Sequence, residues 1–260
     1  MKKENKIIII IIVLLVIFFI VMFGLFGINN IKQENYTSTI IIGDSTVWKY
    51  RNKKWLNIRL DSSLEELNWK QYSIYTSNQK FGDYNLWHNE GKWYAFDKDN
   101  NAINLPDKFL AFDTNFNLSI LQFQKDRVSD YSYIYKVLEN NNLPTNSDFS
   151  SVYKSSIDFD NDGIIEDFYI MTNALSFDNV DKTFGIAFMV KNNNIYSIYT
   201  DIDTNNYYDG CKPYYNTFLD VNNDGIYEFV LSCGKYSKQE QIDMLYQYID
   251  GNFKIVISNQ

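Results

Sequence analysis

Two short stretches of the chain concentrate oxygen ligands at a spacing that suits a hard cation. The first runs Asp158-x-Asp160-x-Asp162-Gly163-x-x-Glu166, the second Asp220-x-Asn222-x-Asp224-Gly225-x-x-Glu228. Calcium takes six to eight oxygens at about 2.3–2.6 Å. A tight loop that turns positions 1, 3 and 5 inward supplies three of them. The backbone carbonyl of position 7, here Ile164 or Ile226, adds another, and the carboxylate at position 9 returns from the outgoing strand. Glycine at position 6 permits positive φ without a Cβ clash. An EF-hand would instead close with an acid at position 12 and enter a helix; position 12 is Tyr169 or Leu231, in segments that read as strand. A bare Asn-Asp-Gly turn needs neither the acids at positions 1 and 9 nor their recurrence. The expected cofactor is Ca2+. Its expected ligands are Asp158, Asp160, Asp162, Ile164 and Glu166, and Asp220, Asn222, Asp224, Ile226 and Glu228. Counting charge ranks the first loop above the second, because neutral Asn222 stands where the first loop has Asp160. Asp201-x-Asp203-x-Asn205-Asn206-x-x-Asp209 is a weaker third candidate, with Asn in place of the glycine.

Catalysis finds little footing. The single histidine, His88, sits beside a hairpin turn, and no Gly-x-Ser-x-Gly motif or phosphate-cradling glycine loop occurs. The conspicuous carboxylates belong to the metal loops. The expectation is a protein that is not an enzyme, a binding or adhesion module for a cell-surface protein or glycan. The alternative is a membrane-tethered hydrolase acting on cell-envelope glycans, for which Trp48, Trp55, Trp69, Trp87 and Trp93 could form sugar-stacking platforms. In strands such aromatics more often fill the core. The net charge of −8 excludes nucleic acid as a natural partner, since binding it needs clustered Lys and Arg.

The elements that must position these loops repeat. Tyr153 to Glu166 aligns without gaps to Tyr215 to Glu228 at an offset of 62, and Ala187 to Tyr199 aligns to Leu245 to Ile257 at an offset of 58. Each unit reads strand, acidic loop, strand, connection, strand, turn, strand, the size of a propeller blade. Upstream, 47–58 and 85–96 read as hairpins, large apolar residues alternating around Asn/Gly turns. Ser63 to Leu67 fits a capping box that opens a short helix. Val128, Tyr131, Ile134, Tyr135 and Leu138 fall at helical spacing, and Asn140 to Pro144 stops that helix.

Asp-x-Asp/Asn-x-Asp-Gly-x-x-Glu within a strand–loop–strand resembles the FG-GAP or VCBS-type repeat, over about 110 residues from Ser151 onward. The Phe-Gly of the FG-GAP name is missing upstream of both loops. The resemblance implies calcium-binding hairpins within propeller blades, often on cell-surface and adhesive proteins. The expected fold is all-β: four-stranded blade-like repeats, a partial or degenerate β-propeller with short helices, preceded by one N-terminal transmembrane helix.

That helix is read from Ile7 to Ile28, 22 residues without a charge, about 33 Å as a helix and long enough for a bilayer core of roughly 30 Å. Lys2, Lys3 and Lys6 precede it and place the N-terminus in the cytoplasm. The run exceeds a signal-peptide core and lacks a small-x-small cleavage site, so it reads as a retained signal anchor. The expected organisation is 1–30 cytoplasmic tip and anchor, 31–45 linker, 46–145 a Trp/Tyr-rich β domain, and 146–260 the two repeats. The expected location is the cell membrane, single-pass, with the C-terminal domain extracytoplasmic (extracellular). Oxidising conditions there permit a disulfide. Cys211 and Cys233 average to position 222, the middle of the second loop, so a hairpin turning there brings them together; they are expected to be bonded.

Overall fold

The computed structural model describes residues 37–51, 54–60, 64–76, 79–113, 119–122, 128–145, 151–173, 182–203, 211–221, 224–235 and 240–259. The expected anchor at 7–28 lies outside the described residues. Among the described residues no helix is long and apolar enough to cross a membrane.

The protein is all-β, with three antiparallel sheets and, among the described residues, one α-helix. The strands are β1 Thr37–Ile42, β2 Thr46–Arg51, β3 Lys54–Asn57, β4 Lys70–Tyr75, β5 Lys80–Asn89, β6 Lys92–Phe96, β7 Ala102–Ile103, β8 Leu110–Asp113 and β9 Ser119–Gln122. Helix α1, Ser132–Asn140, follows. The repeated units supply β10 Ser151–Ile157, β11 Glu166–Thr172, β12 Thr183–Lys191, β13 Asn194–Asp203, β14 Lys212–Asp220, β15 Glu228–Lys235, β16 Glu240–Ile249 and β17 Asn252–Ser258. The sheet orders are β3-β2-β1-β8-β4-β5-β6-β7, β10-β11-β12-β13 and β17-β16-β15-β14-β9.

The three sheets stack face to face, because alternate residues of a strand feed opposite faces. On β11, Phe168 and Ile170 enter a core shared with β14–β17, while Tyr169 and Met171 pack against α1 through Ile134, Val137 and Leu138. On β15, Phe229, Leu231 and Cys233 face that shared core, and Val230 turns the other way, onto Ile40, Ile42, Trp48 and Phe112 of the eight-stranded sheet. A further core, with Ile41, Val47, Tyr72, Leu86 and Trp93, fills the far side of that sheet. The layers run helix, four strands, five strands, eight strands. They form a stack, and no closed propeller ring occurs among the described residues.

The expected units appear as two four-stranded meanders, and the 85–96 hairpin turns through Glu90 and Gly91, both at positive φ (50° and 78°), as a tight type I′ turn requires. The helix expected near 130–140 is α1. Three features differ from expectation. β1 lies inside the stretch read as a linker; its residues 38–42, Ser-Thr-Ile-Ile-Ile, are buried in the middle of a sheet and so show no polar–apolar alternation. The short helix expected from Ser63 is a turn over 65–69: Leu67 and Asn68 N–H donate to the Leu64 carbonyl, then Trp69 swings to φ 61° and gives its N–H to the Leu86 carbonyl. β9, from the upstream half, completes the last sheet by pairing with β14.

Cys211 and Cys233 are disulfide-bonded, with Cα atoms 5.1 Å apart. The partner directly opposite Cys233 is Pro213, so the bridge runs diagonally from the residue before β14. The backbone of β12 lies against it: a Cβ on Gly185 would sit 2.4 Å from the Cys211 carbonyl oxygen and 2.6 Å from its Cβ. Gly185→Ala must push two strands apart. It is expected to destabilise the fold by about 2 kcal/mol, an overpacking cost, read as a lower urea midpoint at an unchanged m-value; an unaltered midpoint refutes the packing argument.

Candidate metal centre

Each acidic loop joins two strands of a meander: 158–165 between β10 and β11, and the end of β14 through residue 227 between β14 and β15. The described parts share one hydrogen-bond frame. In the first loop Asp162 N–H donates to Asp158 Oδ1 (3.1 Å), Gly163 N–H to Asp158 Oδ2 (3.0 Å), and Ile164 N–H to Asp162 Oδ1 (2.8 Å). In the second, Asp224 N–H donates to Asp220 Oδ1 (3.1 Å), Gly225 N–H to Asp220 Oδ2 (3.0 Å), and Ile226 N–H to Asp224 Oδ1 (2.8 Å). Position 9 then reaches back to the amide of position 2: Phe159 N–H donates to Glu166 Oε2 (3.2 Å), and Val221 N–H to Glu228 Oε2 (2.9 Å). Gly163 and Gly225 take φ 85° and 86°, which explains glycine at position 6.

The loops lie side by side. Tyr227 N–H donates to the Phe159 carbonyl at 2.9 Å, and the Asn161 amide donates to the Gly225 carbonyl. Asn222 and the segment 204–210, which holds Asn205, Asn206 and Asp209 of the third candidate, lie outside the described residues; Asp201 and Asp203 are on β13.

The two loops differ in what faces Glu at position 9. Asp167 pairs with Val190, and one step beyond stand Glu166 and Lys191. The Lys191 ammonium lies 2.6 Å from Asp162 Oδ2, 2.7 Å from Asp160 Oδ2 and 2.9 Å from Glu166 Oε1, and 5.6 Å from the centre of the Phe159 ring. Its side chain is 11% exposed, against 0% for Glu166. Burial opposes its charge, but hydrogen bonds to Asp160, Asp162 and Glu166 outweigh that and hold the amine above its ordinary range. Glu166 is raised by burial, with Lys191 pulling the other way, and Asp162 is lowered by its bond to Lys191.

In the second loop Phe229 pairs with Tyr246, and one step beyond stand Glu228 and Gln247. The Gln247 amide donates to Glu228 Oε1 at 2.9 Å. Glu228 is 4% exposed, and burial pushes its carboxyl up to about 7 against the hydrogen bonds from Val221 and Gln247. The Tyr50 phenol, from the neighbouring sheet, is raised by burial and by the Glu228 and Asp224 carboxylates.

The donor chemistry at both loops is that of a hard cation. Asp158, Asp160 and Glu166 each offer an oxygen, and these lie within 4.8 Å of one another. The Lys191 ammonium stands among the same carboxylates. The second loop carries the same frame with a neutral amide opposite its glutamate. Lys191 is the residue at this loop that sequence reading missed. It lies 31 residues from Asp160, and the offset of 58 sets it against Ile249; strand register sets it against Gln247, because β16 is shifted two residues along β15 relative to β12 along β11.

Comparison with protein-family models, with curated proteins and with solved structures finds no match for this chain. The likeness to FG-GAP and VCBS-type repeats therefore rests on the loop residues alone. Of the other candidates, Trp48 and Trp93 are core residues, whereas Trp69, Trp87, Tyr94 and Phe96 cluster on an outer face with Trp69 55% exposed. His88 packs on Trp93, and its buried Nε2 has no hydrogen-bond partner among the described residues.

Proposed function

We propose that the chain is a membrane-anchored, extracytoplasmic, non-enzymatic binding module of FG-GAP or VCBS-like character, with structural calcium in its acidic loops. The observation that carries this reading is one hydrogen-bond frame built twice, with oxygens of Asp158, Asp160 and Glu166 in the first loop within 4.8 Å of one another. The Cys211–Cys233 bridge supports an oxidising compartment. The uncharged run at 7–28 and the lysines before it supply the anchor and its direction. The partner is a cell-surface protein or glycan.

The test is a calcium titration of the full chain in detergent. Calcium at about 100 times the dissociation constant is expected to stabilise the fold by about 2.7 kcal/mol, with slowed hydrogen exchange over 158–166 and 220–228. Glu166→Gln is expected to remove most of the gain at 158–166. Absence of any calcium response in both loops eliminates the metal reading. For the location, protease added to intact cells is expected to leave only a short anchored stub; full protection until lysis reverses the orientation.

A further inference from the structure

We infer that the open face of strands β4 to β6 is the ligand-binding face of the module and takes a neutral glycan chain. The inference deepens the proposed binding role and rests on it, but borrows nothing from the calcium reading. Strand register assembles the face. Ser73 and Tyr75 pair with Phe112 and Leu110, which pack against the five-stranded sheet. Alternation carries that same face across the hairpin, through Asp83, Asn85 and Trp87 to Tyr94 and Phe96. One face of one sheet is thus covered where β1, β2 and β8 lie and open at its other end, with Tyr94 41% and Trp69 55% exposed. Trp69, just before β4, joins this end: its ring centre lies 6.2 Å from Trp87 and 5.1 Å from Phe96, and Trp87 lies 5.6 Å from Tyr94. Singly exposed apolar residues are ordinary, but a contiguous exposed group marks an interaction site.

The backbone at Trp69 points the same way. Its φ of 61° lies in the left-handed region, which bulky side chains rarely enter. The bond from its N–H to the Leu86 carbonyl holds it there. Glycine or asparagine would take this φ at less cost. The fold gains little from an indole that stays mostly in water, so the strain serves a task outside the fold.

The chemistry of the face selects its ligand. A sugar ring shows C–H bonds on its faces and hydroxyls around its rim. Aromatic planes take the first, and Trp69 and Trp87 lie within 20° of parallel. The Asn85 amide, next to Trp87 on this face, brings donors and an acceptor for the second. The charges on the face are one ion pair, Lys80 with Asp83 at 2.7 Å, and Lys92 at the hairpin end. That is too little positive charge to gather a phosphate-rich ligand. Among the described residues of β4–β6 no aliphatic side chain stands on this face. Rings beside amides and hydroxyls suit a sugar better than a bilayer or an aliphatic protein surface.

The test uses the full chain in a detergent without a sugar headgroup. Uncharged oligosaccharides of glucose, mannose, galactose and N-acetylglucosamine are titrated in turn by calorimetry. At least one is expected to bind. Trp69→Gly is expected to weaken that binding roughly 10-fold, as for loss of one aromatic anchor, with a urea midpoint no lower than that of wild type. Should Trp69→Gly fold poorly, Tyr94→Ala, on the exposed end of the row, is expected to show the same loss. Binding of none of the four sugars overturns the inference, as does binding that both variants leave unchanged. Self-association in sedimentation that Trp69→Gly abolishes gives the face to a second copy and also overturns it. A calcium response without sugar binding removes this inference alone; sugar binding lost in Trp69→Gly without a calcium response removes only the metal reading.

Discussion

Asp243→Ala is expected to lower the melting temperature by about 12 °C. Asp243 is fully buried on β16 and gathers donors from its own strand and from three other parts of the fold. Thr46 Oγ1 reaches Oδ2 at 2.6 Å from the eight-stranded sheet, Ser232 Oγ reaches Oδ1 from β15, Gln241 Nε2 reaches both oxygens at 2.9 and 3.0 Å, and Asn259 Nδ2 reaches Oδ2 at 3.2 Å. Alanine takes the acceptor from the Thr46 and Ser232 hydroxyl protons, both hydroxyls being on buried residues, and leaves Thr46 Oγ1 only its bond from the Asn259 amide. At roughly 2 kcal/mol for each orphaned group the loss is about 4 kcal/mol, and a domain of this size loses about 2–4 °C per kcal/mol. A thermal melt of Asp243→Ala within 2 °C (about 1 kcal/mol) of wild type rules out this network as a tie between sheets.

The same residue gives a pH signature of known sign. Burial raises the Asp243 carboxyl above its ordinary range, with hydrogen bonds from Ser232, Thr46 and Gln241 opposing. A folded pKa above the unfolded one means that the native state holds the proton more tightly. The stability this contributes is complete below the ordinary Asp range, about 3.9, and is lost as pH rises through the raised folded value. Subtracting the profile of Asp243→Asn from that of wild type isolates this group from the acids whose pKa is lowered. The difference should fall with rising pH across that window; a rising or flat difference contradicts the assigned direction.

Replacing the bridge by Cys211→Ala with Cys233→Ala is expected to cost about 3 kcal/mol, or roughly 6–12 °C. The bridge closes a loop with a sequence separation of 22, and that constraint on the unfolded chain is its main contribution. Both cysteines are almost fully buried, so reductant should act only as the protein opens. Differential scanning calorimetry of the double alanine variant is the direct measurement. A melting temperature equal to wild type would show that the surrounding core, not the cross-link, holds β14 to β15.

Local features were legible in the sequence because local physics decides them. Two-residue turns such as Glu90-Gly91 and Asp250-Gly251 need positive φ, and their residue types announce it. The acidic loops showed themselves by recurrence, and α1 by its spacing. What stayed hidden depends on neighbours remote along the chain. β1 reads as a linker because both its faces are covered: Ile41 feeds one core while Ile40 and Ile42 feed another. β9 gives no sign that it will pair with β14. The turn at 65–69 carries helix-compatible residues, but Trp69 is drawn away by the Leu86 carbonyl. Lys191 counts as a neighbour of the first loop only once β11 and β12 are in register, so a charge count along the loop omits it.

The bond from Thr46 to Asp243 spans 197 residues, and that from Asn57 to Ser258 spans 201. At ribosomal rates of about 5–20 residues per second, strands β1 to β3 wait roughly 10–40 s for these partners to be made. During that interval the sheet face that will meet β15 and β16 is open, with Ile40, Ile42 and Trp48 uncovered. Closing such distant pairs is slow in itself. A nascent chain of this design therefore depends on whatever shields its early strands while it is being made, and substitutions that leave the finished fold unharmed can still lower yield by making those strands stickier.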